Sequence, residues 1–584
     1  MRSPTSNLNV KPQQILRADA ERNRTKVGAW SICIGFALLE LWSGRNYTDP
    51  DGISYLDMSD ALLKHNWHML VNPYWSPLYP FLIGVARGLI RPSAYWELPV
   101  VHLVNLAIFL VALAAFEFFL VQALPPNTPI DELQDREPIF LLPPSLWTLL
   151  GYSLFAWSAL VLAKGIRGVF PDLLVAAFIY LDAGLLLRIR AGAKQLPKFL
   201  LLGLSLGLGY YAKAAMFPIA FVLMAVAFFM VGEWRKAVRY SLVMALVFGA
   251  VAAPLVMVTS KTAGHPTFGD SGSNNYARLV AGEKTFPFYF TTPPPYLIHP
   301  LNRIHHDPNV FEFGHPFIAT YPLWYDVSYW DAGFKTRFNL TDQLRVIVQS
   351  AKRFFGILIK PMAGPITCYL ILLILSRSLS GCMRRTLRGW PLIVPGVVGI
   401  CMYSLVLLEP RYIAAFAVLI WIGLLSGIRI PKNHDSLRFA QITMLAFAGW
   451  LTVMVAGLSV YYLARPLPIL QGHGGRYYQV AEILNADGLL PGQAVAVVGP
   501  AFDGMTWARL ARLRIVAQIP PEDVDDFWRV SDPRVETEIY NALASAGVMA
   551  VVSQKAPSFG RLADWQKIGD TQYYVHFLSP PGSR

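Results

Sequence analysis

From Val27 to about Leu463 the chain alternates apolar runs with short polar loops, and many of the runs have the roughly 17–25 residues that cross a bilayer as a helix. The first covers 27–43 and the second 98–121; others cover 146–163, 173–187, 199–212, 215–231 and 238–258. One more ends at Arg377, one covers 391–408, one ends at RIPK and the last covers 439–463. The pattern predicts a polytopic α-helical membrane protein with about eleven transmembrane helices. The stretch NPYWSPLYPFLIGVARGLI is also apolar, but Pro77 and Pro80 break it, so it is read as re-entrant or interfacial. After residue 465 the pattern changes. AVAVVG, RIVAQI and VMAVVS are short β-rich runs separated by helical ones such as TWARLARL, which predicts a C-terminal soluble α/β domain over 466–584.

Charge assigns the sides. The net charge of +13 lies largely in short loops that alternate with spans, the positive-inside pattern, so it does not imply nucleic acid. Residues 1–26, with Arg17, Arg22, Arg24 and Lys26, are expected to be a cytoplasmic tail leading into an uncleaved first span. The inner loop with Asp131, Glu132 and Asp135 departs from the trend. The membrane domain covers 27–465, with outer loops at 44–96 and 259–344, and the α/β tail lies outside. The expected location is the inner (plasma) membrane, with the site and the tail on the outer, periplasmic side. A mean hydropathy of +0.41, with only 15% charged residues, excludes a purely soluble protein. The four cysteines show no paired spacing, which argues against a disulfide framework or a zinc cluster.

On this background the segment TDPDGISYLDMSD stands out, with Asp49, Asp51, Asp57 and Asp60 just outside a membrane helix. A carboxylate there needs solvation, a cation or a task. The plain alternative is an amphipathic helix capped by Asp49 or Asp51, with Asp57 and Asp60 on its wet face. Asp172, in VFPDLL, either caps a helix or joins a charged outer turn with Lys164 and Arg167. Lys213 interrupts GLGYYAKAAMFP at the outer membrane level, where a lysine snorkels or meets an anionic headgroup. Arg411 opens a span beside Glu409, so it either pairs with Glu409 or presents its guanidinium to phosphate oxygens. Five histidines fall in the second outer loop, including HHD at 305–307. Adjacent histidines point apart and helical ligand spacing is absent, so a divalent metal is possible but unsupported, and no cofactor is indicated.

Together these residues support a resemblance. DGISY, HNWHMLVNPYWSPLYPFL, FPDLL, GLGYYAKAAMFP and EPRY, in that order over roughly residues 27–430, resemble the motifs of GT-C superfamily glycosyltransferases. The likeness is to bacterial lipid A aminoarabinose transferases and, more distantly, to protein O-mannosyltransferases. It implies a sugar donor linked to polyprenyl phosphate, a glycan, lipid or protein acceptor, and contact with the lipid bilayer. It implies Asp51 as catalytic aspartate, with Asp172 as a second acidic position and Asp49 as a substitute carboxylate. Lys213 and Arg411, beside Glu409, match the positions that bind the donor phosphate. The chain departs where the family often has Asp-Glu, because here Gly52 follows Asp51; Tyr74 and Ser76 likewise replace a Glu and a Lys.

The expected reaction is a single inverting displacement: a base takes a proton from an acceptor hydroxyl, and fixed cations hold the departing phosphate. The alternative is a non-catalytic transporter or flippase of an anionic glycolipid, which would keep the cations without needing Asp51. A membrane scaffold is a third class. The tail is expected to hold or select the acceptor.

Overall fold

The computed structural model describes residues 12–123, 139–140, 143–192, 195–283, 299–314, 318–329, 337–376, 378–431, 434–464, 475–557 and 564–578. The acidic inner loop around Asp131, the Pro- and aromatic-rich run 284–298, His315, Arg377 and His473 lie outside them, as does the start of the tail.

The protein is mostly helical, with a sheet in its C-terminal region. Among the described residues five helices are long and apolar enough to cross a membrane: Ala20–Gly44, Ala94–Ala123, Pro144–Leu162, Trp234–Ala263 and His434–Ala464. Two bent pairs bring the number to seven if each is one span. Other apolar runs form shorter helices, such as Met216–Phe229 and Pro410–Leu425 with 14 and 16 residues, below the roughly 20 that span a bilayer unaided.

The helices that shape the site are α1 (Pro12–Gly44), α2 (Pro50–Leu63), α3 (Leu78–Ile90), α4 (Ala94–Ala123), α5 (Asp172–Arg190) and α6 (Pro410–Leu425). Local chemistry fixes α2. The side chain of Asp49 caps it by accepting a hydrogen bond from Gly52 N at 2.8 Å, and Pro50 supplies a pre-set φ at the first helical position. The helix is buried along most of its length. Asp57 and Asp60 therefore do not form a wet face. Asp57 is 4% exposed, and both carboxylates turn inward to arginines. Gly52 also marks a close approach: a Cβ there would lie 2.5 Å from Thr48 Oγ1 and 2.7 Å from Val169 Cβ. A glutamate after Asp51, as in the resembled motif, has no room.

The sheet has seven strands: β1 (Asn302–His306), β2 (Asn309–Glu312), β3 (Ala494–Val498), β4 (Arg514–Ile519), β5 (Val548–Ser553), β6 (Gln566–Lys567) and β7 (Tyr574–Phe577). Their order is β1-β2-β4-β3-β5-β7-β6, with β3 parallel to both β4 and β5 and the remaining pairs antiparallel. The first two strands come from the segment 259–344, so the sheet is not confined to the tail. Residues alternate between faces as the strand period requires. Val495, Val497, Ala550 and Val552 join the core that continues into the helical part, while Ala494, Ala496, Val498 and Val551 pack with Phe527, Ile539 and Leu543. Both faces are covered, the usual setting of parallel strands. One of those covers is the membrane part itself.

Candidate active site

Four chain segments converge at one end of the helical bundle. Asp51 lies in the first turn of α2, Asp172 opens α5 after Phe170-Pro171, and Arg411 lies in the first turn of α6 behind Pro410. Lys213 occupies the turn between the helices ending at Ala212 and starting at Met216. The two carboxylates thus stand at helix N-termini, where the partial positive charge of the unsatisfied N–H groups favours anions.

Distances show how they meet. Lys213 Nζ lies 2.5 Å from Asp172 Oδ1, Arg411 Nη2 lies 3.0 Å from Asp51 Oδ2, and Arg411 Nε lies 3.7 Å from Asp172 Oδ2. Lys213 and Arg411, distant in sequence, therefore share one carboxylate. Arg411 donates a hydrogen bond to Tyr412 Oη at 3.3 Å and lies over the Phe170 ring at 4.4 Å, and Lys213 Nζ stands 3.6 Å from the Tyr412 ring centre. The Asp172 side chain is 3% exposed and its Oδ2 accepts no hydrogen bond, while Asp51 and the two cations are 21–29% exposed. The cluster is thus sunk but open.

Burial and the adjacent Asp51 charge push Asp49 up to about 7, against the Gly52 N–H and the Arg411 charge. Burial lowers the Lys213 amine from its ordinary range, and Asp172 opposes that shift. Glu409 stands apart: it forms an ion pair with Arg353, not with Arg411. His305 bonds the Pro308 carbonyl at 2.8 Å, and His306 lies beside Arg303. Among the described residues no three His, Cys, Asp or Glu side chains gather in a way that could hold a metal ion.

A second charged cluster went unread in the sequence. Arg509, in the short helix Thr506–Leu510 of the tail, inserts between Asp57, Asp60 and Glu97 at 2.6–3.1 Å. Arg87 reaches Asp60 and Glu97 at 2.6 Å each, and Arg512 reaches Glu97 at 2.9 Å. Asp57 also accepts from Thr320 N at 2.9 Å and Thr320 Oγ1 at 2.8 Å. Burial pushes Asp57 up to about 6 although Arg509 opposes it. Burial disfavours the Asp60 charge too, but Arg509 and Arg87 hold its carboxyl well below the usual range. The available signal was a charge inside an apolar run, as in GVARGLI and YWELPV.

No family model matches the chain, and no curated protein matches it. Solved structures do. ArnT from Cupriavidus metallidurans, bound to undecaprenyl phosphate, is 12% identical at a TM-score of 0.49, over 94% of this chain and 98% of that one. The apo oligosaccharyltransferase of Archaeoglobus fulgidus is 13% identical at a TM-score of 0.46, over 90% of this chain and 69% of that one. The chain is similar to both. The roles assigned below rest on this chain's own side chains.

Proposed function

We propose that this protein is an inverting glycosyltransferase that moves a sugar from polyprenyl phosphate to an acceptor hydroxyl at the outer face of the membrane. One observation carries the reading: Lys213 and Arg411 converge on Asp172, with Asp51 on the same guanidinium. Two fixed cations suit a phosphate that gains charge as its bond to the anomeric carbon breaks. Arg411 can offer a planar pair of N–H donors and Lys213 a point charge. When phosphate oxygens take Arg411, Asp51 gives up its guanidinium partner, and its Oδ2 is left to accept the acceptor's O–H. The acceptor O–H proton then passes to Asp51, the acceptor oxygen bonds to the anomeric carbon, and the phosphate leaves with the bonding pair. A single displacement inverts the anomeric centre.

Asp172 holds the two cations together before the donor arrives. Asp49 caps the helix that presents Asp51 and adds a second carboxylate beside it. A carrier of an anionic headgroup would use the cations but has no need of a carboxylate on the guanidinium, so Asp51 favours transfer over transport. The eleven-span topology, with the site and tail outside the inner membrane and residues 1–26 inside, belongs to the same proposal. The test has two stages. Mass spectrometry of surface glycans and lipids, with and without the protein, identifies the sugar and acceptor. Purified protein then converts the matching polyprenyl-phosphate sugar, and Asp51→Asn does not. Normal turnover by Asp51→Asn would overturn the assignment.

A further inference from the structure

We infer that Arg509 of the tail is a positioning residue, which holds the helix presenting Asp49 and Asp51 to the donor. The inference rests on the transferase reading for its kinetic consequence, but its structural half stands independently. The two ends of α2 have different partners. Its first turn carries Asp51 toward Arg411, and its last turns carry Asp57 and Asp60 into the arginine cluster. From Asp51 to Asp60 is about 13 Å along one rigid helix, so fixing one end fixes the other.

The cluster has the composition of a lock. Three carboxylates (Asp57, Asp60, Glu97) meet three guanidinium groups (Arg87, Arg509, Arg512), so its formal charges balance. Arg509 is 3% exposed, Glu97 fully buried and Asp57 4% exposed. Removing Arg509 leaves buried carboxylates short of a cation, a costly state that is relieved when the element moves. The mobile partner in that relief is α2. Glu97 is built into the long helix α4, while α2 lies between two loops. None of these six charges lies in the reacting cluster, and Arg509 and Arg512 come from the tail. Through these two arginines the tail acts on the chemistry from outside the reacting cluster.

The test uses the full chain, purified, with Arg509→Met and Arg509→Lys, and reads hydrogen exchange along 50–63 together with turnover. In Arg509→Met, exchange should rise at least tenfold in the first turn at Gly52 and Ile53 as well as around Asp60. The membrane helices should keep their protection. Turnover should fall at least tenfold with the donor KM unchanged, and Arg509→Lys should recover part of it. Faster exchange confined to the Asp60 end, or unchanged turnover beside a loosened first turn, overturns the positioning role. If Arg509→Met does not fold, Asp60→Asn weakens the same lock while keeping the Asp57 and Glu97 contacts, and the same readouts apply. Should wild-type protein transfer no sugar, the transferase reading fails, and the exchange data at Gly52 and Ile53 still decide whether Arg509 holds the helix.

Discussion

Asp49 and Asp51 share one turn of helix, and only Asp49 is committed to a backbone N–H. Asp49 is held near 7, so it is protonated below that pH and ionised above it. Ionised, it adds a second negative charge to the field that draws the acceptor proton. The rate should therefore rise as pH passes through about 7, and Asp49→Asn should abolish that step in the pH–rate profile. The folded protein resists this ionisation, so stability drawn from Asp49 is lost as pH climbs from the ordinary carboxylate range toward 7. Asp51→Asn removes the proposed base, and turnover in a purified assay should drop roughly 10²–10⁴-fold with donor binding intact. Arg411→Lys keeps the charge but loses the planar fork, and should cost about 1.5–3 kcal/mol of transition-state stabilisation, read from kcat/KM. The residue types of the cluster were legible in the sequence, because charge is scarce there and DGISY, GLGYYAK and EPRY mark it. Their pairing was not. Glu409 lies two residues from Arg411, yet it turns to Arg353, a side chain from a distant helix.

The helix α2 shows what a segment's own pattern can and cannot say. Its start was readable: Asp49 caps it and Pro50 opens it. Its faces were not. Asp57 and Asp60 looked solvated because the cations that bury them lie on α3 and in the tail, and no local period reports such partners. Gly52 is a tight point of the element, between Thr48 and Val169. Gly52→Ala should force that contact apart, costing about 1–3 kcal/mol in denaturant or thermal unfolding, and should lower turnover by shifting Asp51. The short helices explain why the count of spans was not recovered by length alone. Met216–Phe229 starts just after the turn that holds Lys213, and Pro410–Leu425 carries Arg411 in its first turn, so both are shorter than an unaided span.

For the whole molecule, the proposed orientation puts the catalytic cluster, the second outer loop and the tail on one side. A cysteine replacing exposed Lys555 should react with a membrane-impermeant thiol reagent on intact cells, once exposed Cys401 is removed as background. One replacing exposed Arg384 should react only after permeabilisation. Labelling of both from the same side would break the topology. The helical class and the β-rich tail were legible because both are written in local periodicity. The joining of the tail to the rest was not, because β2 pairs Phe311 with Gln518 and Glu312 with Ala517 across a long stretch of sequence. That pairing sets an order of events during synthesis. The hairpin of β1 and β2 leaves the ribosome long before β4, and at 5–20 residues per second it waits roughly ten to forty seconds for its neighbour. In that interval the edge of β2 that takes β4 waits for its neighbouring strand. The tail therefore folds by closing onto a strand that is already in place.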